Sequence, residues 1–295
     1  MVGEALTDII RTPSGEREHP GGSPANVALG LARLGLQTFF LTAIAPDPRG
    51  QAIAAKLAAS GVALLPESWS LHRTSTAAAE IGDDGSAAYT FDIAWDIPGR
   101  IDLPPVRHLH VGSISAFLDP GAARVETLVV DLAARATVSF DPNIRPALVG
   151  DRDAALSRFQ RLASLADLVK LSDEDAAFLY PDLGPDEAAK TVAALGPVVA
   201  VTKGADGSML VAGTLTVEVE PVIASVSDTV GAGDSYMSAL LWALLRAGRM
   251  RPGPISNGEM AQTGAFAAEA AAITVGRPGA EPPTLREVEG SRLPT

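Results

Sequence analysis

The sequence predicts an α/β fold: a mostly parallel central sheet covered by helices on both faces, with a small second sheet beside it. Two observations carry the first part. Short apolar runs alternate with Ala-rich helical stretches along most of the chain, and glycine turns lead directly into helices. One observation carries the second part. The alternation breaks at Thr76 to Ile81 and Ala87 to Ile93, which flank Asp83-Asp84-Gly85, a hairpin turn signal.

The elements follow in order. Leu6 to Thr12 reads as extended. Gly21-Gly22 then forms a tight turn into a helix, with Ser23 as N-cap, Pro24 at the first helical position and Gly35 as the left-handed stop. Gln37 to Ile44 reads as a strand, and Gly50 to Ser60 as a helix ended by Gly61. Arg107 to Val111, Val138 to Phe140, Asp167 to Leu171 and Val198 to Thr202 read as buried strands. Between them lie helical stretches at about Pro120 to Arg135, Arg152 to Leu165 and Asp186 to Leu195. Asp228-Thr229-Val230-Gly231-Ala232-Gly233-Asp234 leads into an apolar helix, Ser235 to Leu245. No repeat or interdomain linker interrupts the chain, so residues 1–295 are expected to form one domain, with loose ends at Pro282-Pro283 and Arg292-Leu293-Pro294.

Composition narrows the function. A formal net charge of −12 argues against nucleic acid as the main partner, because phosphate backbones need basic patches. Any phosphate site must be made locally positive by backbone amides and a few Lys or Arg. With 0 cysteines there are no disulfides, thiolate nucleophiles or Cys-based metal sites. Glu4 and Asp8 lie where a signal peptide would be basic, and no apolar run reaches the ~20 residues that span a bilayer. A cytoplasmic location, without a membrane partner, is expected.

Several residues carry chemistry beside a plainer reading. Asp234 stands at a helix start, where a carboxylate is favourable in itself. The small residues Gly231, Ala232 and Gly233 also leave the first-turn N–H groups open to an anion, and a carboxylate beside an anion cradle suits phosphoryl transfer. Asn26 is either a solvated first-turn residue or a partner for a polyol. Asp8, just past a probable strand, is either a loop acid or a ligand at a strand end. Arg145 at the end of Asp141-Pro142-Asn143 is solvated, or reaches phosphate or sugar. Lys170 either snorkels from a strand edge or meets phosphate. His19, His72, His108 and His110 lack metal spacing, and the last two read as structural.

The glycine-pair segment and the Asp-Thr-x-Gly-Ala-Gly-Asp segment together resemble the paired signatures of the PfkB carbohydrate kinase, or ribokinase, family. Gly3-Glu4-Ala5-Leu6-Thr7-Asp8, Asp141-Pro142-Asn143-Ile144-Arg145-Pro146, Thr202-Lys203-Gly204-Ala205-Asp206-Gly207 and Gly276-Arg277-Pro278-Gly279-Ala280 match in family order over nearly the whole chain. The Asp-Pro-Asn-x-Arg-Pro run and Lys170-Leu171-Ser172 look most like bacterial fructokinases.

The resemblance implies a ribokinase-like three-layer αβα core with a small β lid over the sugar, formed by about 9–20 and 72–98, which in some members is also a dimer surface. It implies an ATP-dependent kinase acting on fructose or a similar ketose or keto-acid sugar, with Mg²⁺ and K⁺. Asp234 is then the base, and Gly231, Ala232 and Gly233 the anion hole. Asp8, Gly21, Gly22 and Asn26 bind sugar, Arg145 contacts sugar or phosphate, and Trp95 with Phe91 packs over the sugar. Lys170, Ser172, Thr202, Lys203, Gly204 and Gly207 line the nucleotide site, and Ala271 closes over adenine. Asp175 holds Mg²⁺ through water, although the family's Asn-x-x-Glu is Ser172-x-x-Asp175 here. Asp228 caps its loop or, with the Val230 carbonyl, holds K⁺.

Only Met1-Val2 precede the Gly-Glu pair, where the family has a full apolar strand; a strand of two or three residues is expected, from a late start assignment or a shortened central strand. A 2-keto-3-deoxygluconate kinase, ribokinase or nucleoside kinase is the nearest alternative, and a sugar sensor without catalysis is one of another class. A Rossmann dehydrogenase is disfavoured, since no G-x-G-x-x-G follows the first strand.

Overall fold

In a computed structural model of the chain, the structure describes residues 1–12, 15–81, 87–251 and 255–290. The chain runs through β1 (Leu6–Thr12), β2 (Gly15–Gly21), α1 (Ser23–Arg33), β3 (Thr38–Phe40), α2 (Pro48–Ala59), β4 (Val62–Leu64), β5 (Thr76–Ile81) and β6 (Ala87–Asp92). It continues through β7 (His108–Gly112), α3 (Gly121–Ala133), β8 (Thr137–Asp141), α4 (Pro146–Val149), α5 (Arg152–Leu165), β9 (Leu168–Ser172), α6 (Asp173–Leu179), α7 (Pro185–Ala193) and β10 (Val198–Thr202). It closes with β11 (Ser208–Ala212), β12 (Leu215–Val219), α8 (Ala232–Ala247), α9 (Asn257–Val275) and α10 (Leu285–Gly290).

Strands β7 to β10 are parallel and stand in the order β10-β9-β8-β7, extended by the antiparallel pair β11 and β12. Val2 bridges Val111 on one side and Leu41 on the other. It thereby joins this sheet to the parallel pair β3-β4. The short first strand expected from the sequence is thus a single bridging residue, held by Val2 N–H to His110 O and Leu41 N–H to Met1 O.

Period-two alternation decides what each face meets. Val138 and Phe140 of β8, Val169 and Leu171 of β9, and Val199 and Val201 of β10 pack on α3, α5 and α7. Leu168, Val198 and Ala200 pack on α1, α8 and α9 on the other side. These are the three layers. The same alternation places Ser139, Asp141 and Lys170 on the α8 side. Lower on that face His108 Nε2 and His110 Nδ1 lie 2.9 and 2.8 Å from Ser139 Oγ. Burial holds both histidines below their usual range, His108 at about 3, so they are neutral and structural.

The second sheet has the order β2-β1-β5-β6, with β1 and β5 parallel. Its expected hairpin turn, Asp83-Asp84-Gly85, lies outside the described residues, as does the end at Arg292-Leu293-Pro294.

Four expectations are corrected. The strand over Gln37 to Ile44 shrinks to β3, because residues beyond the Leu41 bridge leave the ladder. The N-cap of α1 is Gly22, at φ 106°, and Ser23 is already helical. Asp8 is not past a strand but inside β1, paired with His19 and Ala77. Trp95 is not packed over an open site. It is 2% exposed, in the core cluster with Val125 and Ile97, and a Cβ on Gly121 would stand 2.4 Å from its ring.

Candidate active site

Helix α8 opens on Gly231, whose left-handed φ of 78° turns the chain sharply into the first turn. A Cβ there would lie 2.5 Å from the Ala280 Cβ, so glycine is required by both conformation and space. The first-turn N–H groups have no acceptor within the helix. Ala232 N–H makes a long bond of 3.3 Å to Thr229 O, which leaves Gly233 and Asp234 as the open part of the expected cradle.

Asp234 is half-buried in that turn and gripped from α1. Ser23 Oγ donates to Oδ1 at 2.6 Å, and Asn26 Nδ2 donates to Oδ2 at 2.8 Å. Asn26, expected at the sugar, holds the carboxylate here. Ser23, expected only as a cap, does the same. Both donors fix the orientation of the carboxylate, and each oxygen keeps a lone pair that can receive a proton.

Lys170 lies beneath the turn. Its Nζ donates to Asp141 Oδ1 at 3.1 Å and Oδ2 at 2.9 Å, with side chains 5% and 1% exposed. A Cβ on Gly233 would stand 3.4 Å from that Nζ. So the ammonium is a buried pair member rather than a snorkelling side chain, and it faces the cradle. Burial opposes the charge of Lys170, but Asp141, Asp175 and Asp234 outweigh it and hold the ammonium above its usual range. Burial pushes Asp141 up to about 6 against the pull of Lys170. Asp141 belongs to the site although the sequence reading passed over it; a buried acid at the end of a parallel strand was the available signal.

A second group of charges adjoins this one. Asp8 is raised to about 6 by burial, against the charges of His19, Lys56 and Arg145. Gly21 packs under it, since a Cβ there would fall 1.9 Å from Asp8 Oδ2. Arg145 is exposed and donates to the Ile144 carbonyl. Gly22 at φ 106° lies against Glu4 O and Ala5 Cα.

The other expected residues lie at the start of α6, at the end of β10 and the turn after it, in α9, and in the loop before α8. Ser172 and Asp175 form the capping box of α6. Asp175 Oδ1 accepts Ile144 N–H and Oδ2 accepts Ser172 N–H, so both oxygens of this buried carboxylate are engaged. Thr202 Oγ1 donates to Leu171 O, and Lys203 is paired with Asp186 and Glu218. Gly204 and Gly207 bracket a tight turn with φ of 55° and 80°. Ala271 is half-buried in α9. Asp228 clamps two loops, accepting Val230 N–H on Oδ1 and Gly279 N–H on Oδ2.

A carboxylate held at a helix start, an amide cradle and a buried lysine below it are parts for moving a phosphoryl group onto a hydroxyl. Comparison with known proteins decides the family: the description "pfkB family carbohydrate kinase" matches residues 1–286. The chain belongs to that family. It is an ATP-dependent sugar kinase.

This pfkB kinase is 35% identical over 255 residues to a fructokinase of Rhizobium leguminosarum bv. trifolii, covering 82% of this chain and 78% of that one. It is 31% identical to an Escherichia coli fructokinase over 264 residues, covering 84% of each. Among solved structures, fructokinase from Vibrio cholerae O395 with fructose, ADP and calcium ion superposes with a TM-score of 0.81 at 25% identity, covering 98% of this chain and 96% of that one. Fructokinase from Xylella fastidiosa with ATP gives 0.82 at 26% identity, with the same coverage. Among the described residues, no helix is long and apolar enough to cross a membrane.

Proposed function

We propose that this kinase transfers the γ-phosphoryl group of ATP to a primary hydroxyl of fructose or a closely similar ketose. The observation that carries the reading is the grip of Ser23 and Asn26 on Asp234 at the start of α8. Asp234 accepts the hydroxyl proton as the oxygen attacks in line. The first-turn amides after Gly231 and the ammonium of Lys170 take the charge that develops on the phosphoryl oxygens. Asp8, Gly21, Gly22 and Arg145 border the acceptor. Thr202, Gly204, Gly207 and Ala271 border the nucleotide. Lys203, already bound to two carboxylates, acts there by shaping the loop. The β1-β2-β5-β6 sheet serves as the lid that keeps water from the phosphoryl group. Exposed Ile10 and Tyr89 on it support a role as a dimer surface. Residues 1–295 act as one catalytic domain in the cytoplasm, where ATP is supplied.

The residues fit the expected cations unequally. Among the described residues no group of three or more His, Cys, Asp or Glu could hold a metal ion, and Asp175 is buried at 2% exposure. Mg²⁺ would therefore be held mainly by the nucleotide phosphates and water and would supply charge neutralisation there, with Asp175 reaching it only through water. Asp228 and the Val230 carbonyl offer oxygen ligands that suit K⁺.

A second reading rests on the cations near Asp8: Lys56 and Arg145 would also favour an acid sugar such as 2-keto-3-deoxygluconate. ATP consumption across ketoses, aldoses, keto-deoxy acids and nucleosides separates the readings. Turnover led by fructose supports the first, turnover led by the acid sugar replaces it with the second, and ATP binding without turnover on any acceptor points to a sensor.

A further inference from the structure

Two non-glycine residues among those described have a left-handed backbone, and they are neighbours. Ser113, at φ 60°, follows β7, and Asn143, at φ 36°, follows β8. Asn143 Nδ2 donates to Ser113 Oγ at 3.4 Å. Both sit at the carboxyl ends of adjacent parallel strands, where α/β sheets bind ligands. Such backbone persists only where the surroundings hold it, and it concentrates at functional sites.

Glu4 holds it. The residue is 5% exposed, and Oε2 accepts Ser115 N–H at 3.1 Å. The Ser113 hydroxyl also hydrogen-bonds it, and the charge of Asp234 acts on it from the site. The turn is closed from the other side by Ser115 Oγ donating to Gly112 O at 2.6 Å. Glu4 also occupies the short link between Val2, which bridges the central sheet, and β1 of the second sheet. Its neighbour Gly3 packs on Pro24 so closely that a Cβ would fall 2.3 Å away, and its own carbonyl packs on Gly22. Glu4 thus meets the strained turn through its carboxylate, and the approach to the helix that carries Ser23 and Asn26 through its backbone carbonyl.

We propose that Glu4 is a positioning residue for the acceptor side of the site: its carboxylate holds the Ser113–Asn143 corner, while its backbone packs on the approach to the helix that orients Asp234. The proposal rests on the placement of the acceptor at Asp234. Burial raises Glu4 to about 7, and hydrogen bonds from Ser113 and Ser115 oppose that rise, so the lock engages as pH increases through neutrality. Protonation would remove the full charge that Ser113 and the Ser115 N–H are arranged around.

The test compares wild type with Glu4→Gln, Glu4→Asp and Ser113→Gly, using the acceptor that wild type turns over best. Wild-type turnover is the control on the acceptor assignment itself. In wild type, kcat/KM for the acceptor is expected to fall below about pH 7, since that ratio reports groups of the free enzyme. In Glu4→Gln the acid limb should move down to about pH 6, where Asp8 and Asp141 titrate, and the acceptor KM should rise about tenfold or more, with the KM for ATP little changed, because small displacements at a reacting centre have large effects. Glu4→Asp should bring the limb back towards neutrality. Should Glu4→Gln fail to fold, Ser113→Gly decides, because glycine adopts φ 60° freely and loses only the hydroxyl. It should raise the acceptor KM selectively. A Glu4→Gln enzyme with wild-type acceptor KM and an unchanged pH profile would overturn the proposal. So would a Ser113→Gly enzyme with wild-type acceptor KM.

Discussion

Replacing Asp141 by Asn separates what the buried ion pair does for stability from what it does for catalysis. The pair is sealed, with Lys170 and Asp141 side chains 5% and 1% exposed. Removing one partner strands an ammonium in the interior, which costs about 3–5 kcal/mol. Asp175 and Asp234 also attract Lys170, so the lower part of that range applies. At about 2 °C per kcal/mol for a chain of this size, the melting temperature should drop by about 6 °C. The double variant Asp141→Asn, Lys170→Met removes the stranded charge as well. With no charge left stranded in the interior, it should regain most of the lost melting temperature. Its activity should not recover. Lys170 Nζ lies below Gly233 in the cradle, and loss of one charge-stabilising group typically lowers kcat about 10²–10³-fold. Calorimetric melting and steady-state kinetics on the three proteins decide it. Recovery of both melting temperature and kcat in the double variant would refute a role for Lys170 in transfer.

Three further outcomes are expected. Asp234→Asn should lower kcat by about 10²–10⁴-fold, the usual share of a general base, with ATP affinity by titration calorimetry nearly unchanged. Gly231→Ala must place an L residue at φ 78° with its Cβ 2.5 Å from Ala280, and should lose stability and kcat together in a melt and an activity assay. The backbone term alone is about 1–2 kcal/mol. Glu4→Gln should change the pH dependence of stability. Burial raises Glu4 from 4.5 to about 7, so between those values the folded chain keeps a proton that the unfolded chain has released. Stability from this group is full below the lower value and falls as pH rises to the upper one, by about 3 kcal/mol at most. Glu4→Gln should therefore melt near wild type at pH 5 and above it at pH 8, and the reverse order would contradict the burial argument.

The layers were legible because burial writes itself into period. Arg152–Leu165 and Val198–Thr202 read correctly since apolar spacing, an N-capping Asp151 and β-branched runs agree there. Helix α9 escaped because it is apolar on nearly every side, which leaves no polar face to set a rhythm. The β11–β12 pair escaped because its strands are short and the turn at Gly213 is weak as a signal. In the site, Asp234 and its glycines were visible as a local motif. The grip of Ser23 was not, since it spans 211 residues and depends on α1 packing beside α8. Ser172-x-x-Asp175 reads in sequence as a departure from a metal motif, while in the fold it is a helix cap. Trp95 has the composition of a sugar-stacking residue, and only packing reveals that it is core.

The most direct test follows phosphorus by ³¹P NMR in a mixture of ATP, Mg²⁺, K⁺ and fructose with wild type and with Asp234→Asn. The account expects one ADP for each sugar phosphate, with the ester on a primary hydroxyl, and no ester with the variant. Inorganic phosphate in place of the ester, or an ester formed equally fast by Asp234→Asn, would contradict it.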